Sequence, residues 1–582
     1  MIGPVLSRRR ILVFGPLLLV MVAGAYFGWL ALQVRGELAE AEDSADQLRV
    51  AMQQQDRAGQ QSAVRDLRES SSRAADLTGG AGWSVLAKLP LVGDDAAGIR
   101  ALSRSLDTLA QDGVDPLLRS VDLVDRLSAD GRIDVGVAQE LVDPVAEARS
   151  AFSDAAAPVE GLDSSGYAGS VKGRFDEYVE IVRAGRDALA SAETATQVLP
   201  SMVGSDGPRN YLLVFQNNAE IRATGGLPGS WALVHADRGE LSIQRQGTVG
   251  SFPEQPEPVT SLSDGEFQVY NTQLGTFFAD AGFTPDFPRA AELMQAHWDA
   301  RYPATGLDGV ISLDPVALSY LLEGTGPVEV AGRSLTPDNV VDELLSSPYR
   351  TLEPLAQDQL FAQAARAIFG AATGDVKDPV AFVRGLSRAA DEDRLLVAPF
   401  VDSEAETLAG SAVIGDLPDE DARSPRVEIT LNDATGSKMS YYLRYSADVR
   451  ATACRSDVQT MNGSMTLSQS IPPSEAAELP DSVTGGGQFG TQPGTQLVLV
   501  RVHGPSGGSL EDFRLNGKAI SAKSVELDGR PVATVVVLLS TTEDVVVNWS
   551  MTSGPDQTGD VQLGLTPSVV PGDKDRTVQS AC

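Results

Sequence analysis

From Val34 to about Val198 apolar side chains return at every third or fourth position: Leu38, Ala41, Ala45, Leu48 and Met52, then Ile99, Leu102, Leu106 and Leu109, then Val171, Phe175, Tyr178 and Val182. That spacing sets one apolar stripe on each helix and predicts an α-helical bundle or long hairpin over residues 33–200. Asp94 and Asp95, after Pro90, are the expected N-cap of its second helix. Near Gly204 the rhythm changes. Strands are predicted at Tyr211 to Gln216, Ser230 to Ala236, Leu241 to Arg245 and Val310 to Leu313, and helices at Pro288 to Tyr302, Asp314 to Glu323, Pro337 to Leu345 and Leu355 to Ala371. Such interleaving describes an α/β domain over residues 201–415. Beyond Pro425 the period becomes two: Val427, Ile429 and Leu431 alternate with polar residues, as do Tyr441, Leu443 and Tyr445. Short apolar runs between Gly-, Pro- and Asp-rich turns predict a β-rich C-terminal domain over 424–582, built as a β-sandwich.

The N-terminus adds a further expectation. Ile11 to Leu32 is an uncharged run of 22 residues, long enough as a helix to cross a bilayer, with Arg8, Arg9 and Arg10 before it and Glu37, Glu40, Glu42 and Asp43 after it. Positive charge resists translocation, so residues 1–10 read as a cytoplasmic tail, 11–32 as a single-pass transmembrane helix and the remainder as an extracytoplasmic body. A cleaved signal peptide with Ala23-Gly24-Ala25 as its small-residue site is the competing reading; the length of the run favours a retained anchor.

The formal net charge of −33 removes nucleic acid as a partner, because phosphate recognition needs clustered Lys and Arg. Only two cysteines occur, Cys454 and Cys582, and in an exported body they predict one bridge stapling the C-terminal tail; two free thiols are the alternative. The three histidines are far apart and neither cysteine has a CxxC partner, so no metal site is expected. No GxSxG motif supports a serine hydrolase.

Candidate chemistry concentrates in NNAEIRATGG, residues 217–226, a polar and glycine-rich turn directly after an apolar strand. Asn217, Asn218, Glu220, Arg222, Thr224, Arg245 and Asp286 are the candidate side chains. Arg222 and Arg245, each near a strand end, can converge on an anion, with the backbone amides of Gly225 and Gly226 as further donors. The competing reading makes Glu220 and Arg222 a structural ion pair, Asn217 and Asn218 strand-end caps, and Asp286 the N-cap of the following helix.

NNAEIRATGG, with TPDFP (284–288), DGVISLDPVALSYLLEGTGPVEV (308–330) and NDATGSKMSYYL (432–443), resembles the domain of unknown function 4012 family, which implies a cell-envelope setting and no established activity. More distantly, Arg209 to Leu345 resembles the LytR-CpsA-Psr family. That resemblance implies a polyprenyl-pyrophosphate-linked glycan as ligand, with Arg245 at its pyrophosphate-binding arginine and Arg222 at the arginine of its Asp-x-Arg turn as a further candidate ligand, and glycopolymer phosphotransfer as the activity if there is one. Gln246 and Ser230 stand where that family carries aspartates, so dependence on Mg²⁺ is expected to be weak or absent. The alternative is a noncatalytic envelope scaffold that recruits protein partners.

Overall fold

The computed structural model describes residues 6–54, 56–90, 92–129, 131–374, 376–417, 423–572 and 575–582, with the side chains of the first helix from Ala25 onward. The chain divides into two compact units, Met1–Val124 with Gln139–Thr196, and Asp125–Ala138 with Gln197–Cys582.

The first unit is helical. Leu6–Gln53 packs along Arg57–Gly79, and Gly93–Thr108, Val142–Ala156 and much of Gly169–Met202 complete it. Its contact positions are small: Ala41, Ala74, Ala110, Ala148 and Ala155 are buried, which lets helix backbones approach closely. Asp56 caps Arg57–Gly79 by accepting from the Ala58 and Gly59 amides, whereas Asp94 and Asp95 lie in the first turn of Gly93–Thr108 and not at its cap.

The transmembrane expectation is corrected here. The Ile11–Leu32 run lies in the helix Leu6–Gln53, and the side chains of its residues 11–24, like residues 1–5 of the expected cytoplasmic tail, lie outside what the structure describes. Among the described residues, no helix is long and apolar enough to cross a membrane. The physical reason is visible from Tyr26 onward: Leu30 and Val34 are buried against Trp83 and Ala96 of neighbouring helices, and Arg35, Glu37, Glu40 and Glu42 follow within the same helix. The single-pass membrane anchor, the cytoplasmic tail and the extracytoplasmic placement derived from it are therefore withdrawn, and the fold class becomes a mixed α/β protein with several sheets.

In the second unit a seven-stranded sheet has the order Ser128–Ala129, Arg132–Ile133, Glu240–Thr248, Leu227–Asp237, Arg209–Asn217, Gly309–Leu313 and Leu395–Pro399. The strand Arg209–Asn217 runs antiparallel to Leu227–Asp237 and parallel to Gly309–Leu313. Both faces are covered, because successive residues of the central strand serve opposite cores: Leu212 and Val214 meet Trp231, Phe252, Phe278 and Trp298, while Leu213 and Phe215 meet the helix Pro315–Thr325 and its neighbours. Six-stranded and five-stranded sheets from residues 426–578 pack face to face over one core that includes Val427, Val500, Val537, Met465, Val547 and Trp549.

Cys454 and Cys582 are joined by a disulfide with Cα atoms 5.0 Å apart, fixing the last residue to the strand Leu443–Arg455. The bridge closes a loop spanning a sequence separation of 128. Cys582→Ser is expected to lower stability by about 2–4 kcal/mol, since the unfolded chain regains the freedom of that loop. Urea unfolding with and without reductant checks this: the wild type should lose the same amount on reduction, and an unchanged midpoint in both would refute it.

Candidate functional site

The turn 217–226 is built into the protein interior. Asn217 ends its strand, its side-chain oxygen accepts from the Ala219 amide at 3.1 Å, and its NH₂ donates to the Tyr349 hydroxyl. The Asn218 NH₂ donates to the Asp314 carboxylate at 2.8 Å. Ile221 then inserts into the core between the six- and five-stranded sheets. The backbone around it is spliced to residues 432–440: Asp433 N–H donates to Ile221 C=O at 2.9 Å, Ser440 N–H to Ala219 C=O at 3.0 Å, and Ala223 N–H to the Asn432 side chain at 3.1 Å.

The charged residues of the turn are spent on the same joint. Arg222, 5 % exposed, donates to the Asp433 carbonyl at 3.2 Å and pairs with Glu220 at 3.1 Å and Asp280 at 3.4 Å, with its guanidinium over the Phe283 ring. Glu220 also holds the Lys438 ammonium. Burial alone would raise the Glu220 pKa, but Lys438 and Arg222 hold it below the usual carboxylate value. Asp433 and Asp280 are pushed up, chiefly by burial.

Gly225 has φ +120°, a conformation open to glycine and strained for other residues, and its N–H closes a turn onto Arg222 C=O at 2.8 Å. Gly226 N–H donates to the Gln216 side chain at 2.6 Å, and a Cβ there would lie 2.4 Å from the Asn217 carbonyl carbon. These amides therefore face the turn's own atoms. Thr224, also buried, sits 3.5 Å from the Gln216 side-chain oxygen.

Arg245 is elsewhere. It is exposed, stacks over Tyr302 at 4.6 Å and shares no partner with Arg222. Asp286 caps the helix Phe287–Arg301 by accepting from the Arg289 amide at 3.3 Å. The histidines are dispersed: His297 and His503 are buried, which pushes them down to about 4 and about 3, and His235 meets the Asn210 side chain at 2.9 Å.

Burial raises the Asp286 carboxyl to about 6, with the nearby charges of Asp416, Glu292 and Asp528 adding to it. A raised carboxyl makes ionisation oppose folding, so this group costs stability as pH rises from its unfolded value near 3.8 through 6. Asp286→Asn keeps a good N-cap and removes the charge, and is expected to gain about 1–3 kcal/mol above pH 6 and nothing near pH 4. Melting temperatures at the two pH values check the sign; a loss at pH 8 would refute it.

The cavity of note in this unit is a cleft of about 330 Å³ between the seven-stranded sheet and the helices Pro315–Thr325 and Pro354–Thr373. Phe215, Leu318, Leu344, Phe361, Ala365 and Ile368 make its wall apolar. Asn217, Tyr349, Gln357, Asp358, Lys438 and Ser482 supply its polar groups. Of the predicted site residues, only Asn217 lines it. Lys438 and Tyr349 are not among the candidates that the sequence offers, since each belongs to a segment distant from the turn; the one sequence signal for Lys438 is its place in NDATGSKMSYYL. The Lys438 ammonium, paired with Glu220, lies 5.4 Å from the Tyr349 ring centre and is the one cationic side chain among the residues that line the cleft.

No curated protein and no solved structure matches the chain. Residues 206–349, which carry the central strands, the polar turn and much of the cleft wall, match the family model described as "Protein of unknown function (DUF4012)".

Proposed function

We propose that this protein is a binding protein for an amphiphilic ligand, whose apolar chain enters the cleft between the sheet and the helices Pro315–Thr325 and Pro354–Thr373. The observation that carries this reading is the cleft itself: apolar walls, about 330 Å³, and hydrogen-bonding groups gathered around Asn217, Tyr349 and Lys438. A polyprenyl-linked glycan carrier is the ligand class that the LytR-CpsA-Psr resemblance suggests, and a long isoprenoid chain suits such walls. Binding without transfer is favoured, since the Arg222 fork is already engaged by Glu220, Asp280 and the Asp433 carbonyl, and Arg245 lies apart. The scaffold reading draws on a different observation: the turn 217–226 serves as a joint between sheets, which is what a structural platform requires.

Calorimetry of the full chain with a short-chain polyprenyl pyrophosphate and with the parent polyprenol, each with and without Mg²⁺, tests the proposal. Both should bind, with little dependence on the metal ion. Ala365→Phe, which fills the cleft, should weaken binding at least about tenfold, or about 1.4 kcal/mol, while leaving the circular dichroism unchanged. Absence of binding by the folded wild type, or equal affinity in the variant, would leave the scaffold reading in its place.

A further inference from the structure

We infer that the chain self-associates through the free edge of the strand Arg530–Leu539, which pairs antiparallel with the same strand of a second copy. Along one side this strand is paired with Gln496–His503 from Val532 to Leu539. Along the other, the short strand Ser524–Leu527 reaches only as far as Ala533. From Thr534 to Leu539 that second side has no strand partner, and no loop or turn backbone bonds to it among the described residues. A row of unpaired N–H and C=O groups in extended geometry is a template for another extended chain.

Sheet edges in soluble proteins are commonly blocked by charge, proline or a bulge. This one is not. Residues 531–542, PVATVVVLLSTT, carry no charged side chain, and Pro531 sits in the half already paired with Glu526. The ladder with Gln496–His503 is regular throughout. The side chains beside the open edge are apolar as well: Val536 is 54 % and Leu538 60 % exposed, opposite Leu499 and Leu497 in the ladder. Phe489, 64 % exposed, lies over Gly436, two residues from Ala434, whose N–H donates to the Leu497 carbonyl.

Two properties make a second copy the occupant. A molecule with a net charge of −33 repels its own copies over most of its surface, and this uncharged edge is where two of them approach at least electrostatic cost. A two-fold axis through the edge also sets identical strands antiparallel, so each copy's Val536 and Leu538 meet the same apolar set on the other, and both backbone rows are satisfied at once.

Light scattering after size-exclusion chromatography of the full chain, from micromolar to near-millimolar concentration, tests this together with Val536→Lys and Leu538→Lys. Both positions are exposed, so the folded protomer tolerates the change. Wild type should be a concentration-dependent dimer, each variant should associate at least about tenfold more weakly while melting like the wild type at dilutions where both are monomeric, and those amides of 534–539 that point to the open side should exchange with deuterium faster on dilution. A wild type that is monomeric throughout, a dimer that both variants leave intact, or an edge that takes up only an unrelated apolar peptide would each overturn the inference.

Discussion

Glu220→Gln should be among the most damaging single changes in the protein, lowering the stability of the second unit by about 3–5 kcal/mol. Glu220 is 7 % exposed and lies between two cations, Lys438 and Arg222. Arg222 retains Asp280 when the carboxylate is lost. Lys438 keeps the face of Tyr349, the more distant charge of Asp433 and at most a neutral amide acceptor at position 220, all weaker than the carboxylate it loses. The damage should therefore follow Lys438, and Glu220→Gln with Lys438→Met should recover part of the loss, because the second change removes the stranded charge. Urea midpoints of the two single variants and the double give the coupling directly; additive effects would mean that the pair does not act as a unit.

The pH dependence follows from the same geometry. The Glu220 pKa is held below its usual value despite burial, so its contribution is present above the unfolded carboxylate range and disappears as pH falls through the lower folded value. Asp286 behaves oppositely, its carboxyl raised to about 6 and its cost present only above that range. Acidification from neutral pH should first relieve Asp286 and only later break the Glu220 joint. Stability is then expected to rise slightly toward pH 5 before it falls.

What the chain's pattern reveals is mostly local. Asp286 followed by Phe287-Pro288 specifies a helix start, and the helix runs from Phe287 to Arg301 against an expected Pro288 to Tyr302. The alternation of Val427, Ile429 and Leu431 places all three in one core. The turn 217–226 is legible as polar punctuation, but whether such punctuation meets a ligand or another part of the chain depends on what folds onto it from far away. Asp433 and Lys438 lie more than two hundred residues downstream, and no periodicity announces that they will close over Glu220 and Arg222. The N-terminal run fails as a guide for a related reason: hydropathy registers that Leu30 is apolar, not that Trp83 is there to cover it. Leu395–Pro399 is absent from the expected strands, because a short apolar run does not by periodicity alone declare itself strand or helix, yet it completes the seven-stranded sheet beside Gly309–Leu313.

A comparable loss, about 3–5 kcal/mol, is expected for Arg394→Lys, although the charge is kept. The Arg394 side chain is wholly buried, and its fork serves four acceptors: Asp314 at 2.8 Å, Glu392 at 2.7 Å, and the carbonyls of Ser568 and Val570, each at 2.8 Å. Glu392 in turn accepts from the Tyr320 hydroxyl at 2.7 Å and the Gly572 amide at 3.0 Å, so one ion pair fastens the segment 568–572 to the sheet and to the helix Pro315–Thr325. Lysine offers a single nitrogen at the end of a flexible stem and cannot reach both carboxylates and both carbonyls, which leaves buried acceptors without donors. The disulfide still tethers Cys582 to Cys454 in such a variant, so the release should take the form of an opened loop between Leu565 and the tail strand Arg576–Val578. Hydrogen exchange should therefore quicken across residues 566–572 in Arg394→Lys, and extend through 576–582 only when Cys582→Ser is added. Protection of 566–572 as strong as in the wild type would show that the tail is held by its β-pairing with Val561–Leu565 and not by the Arg394 clamp.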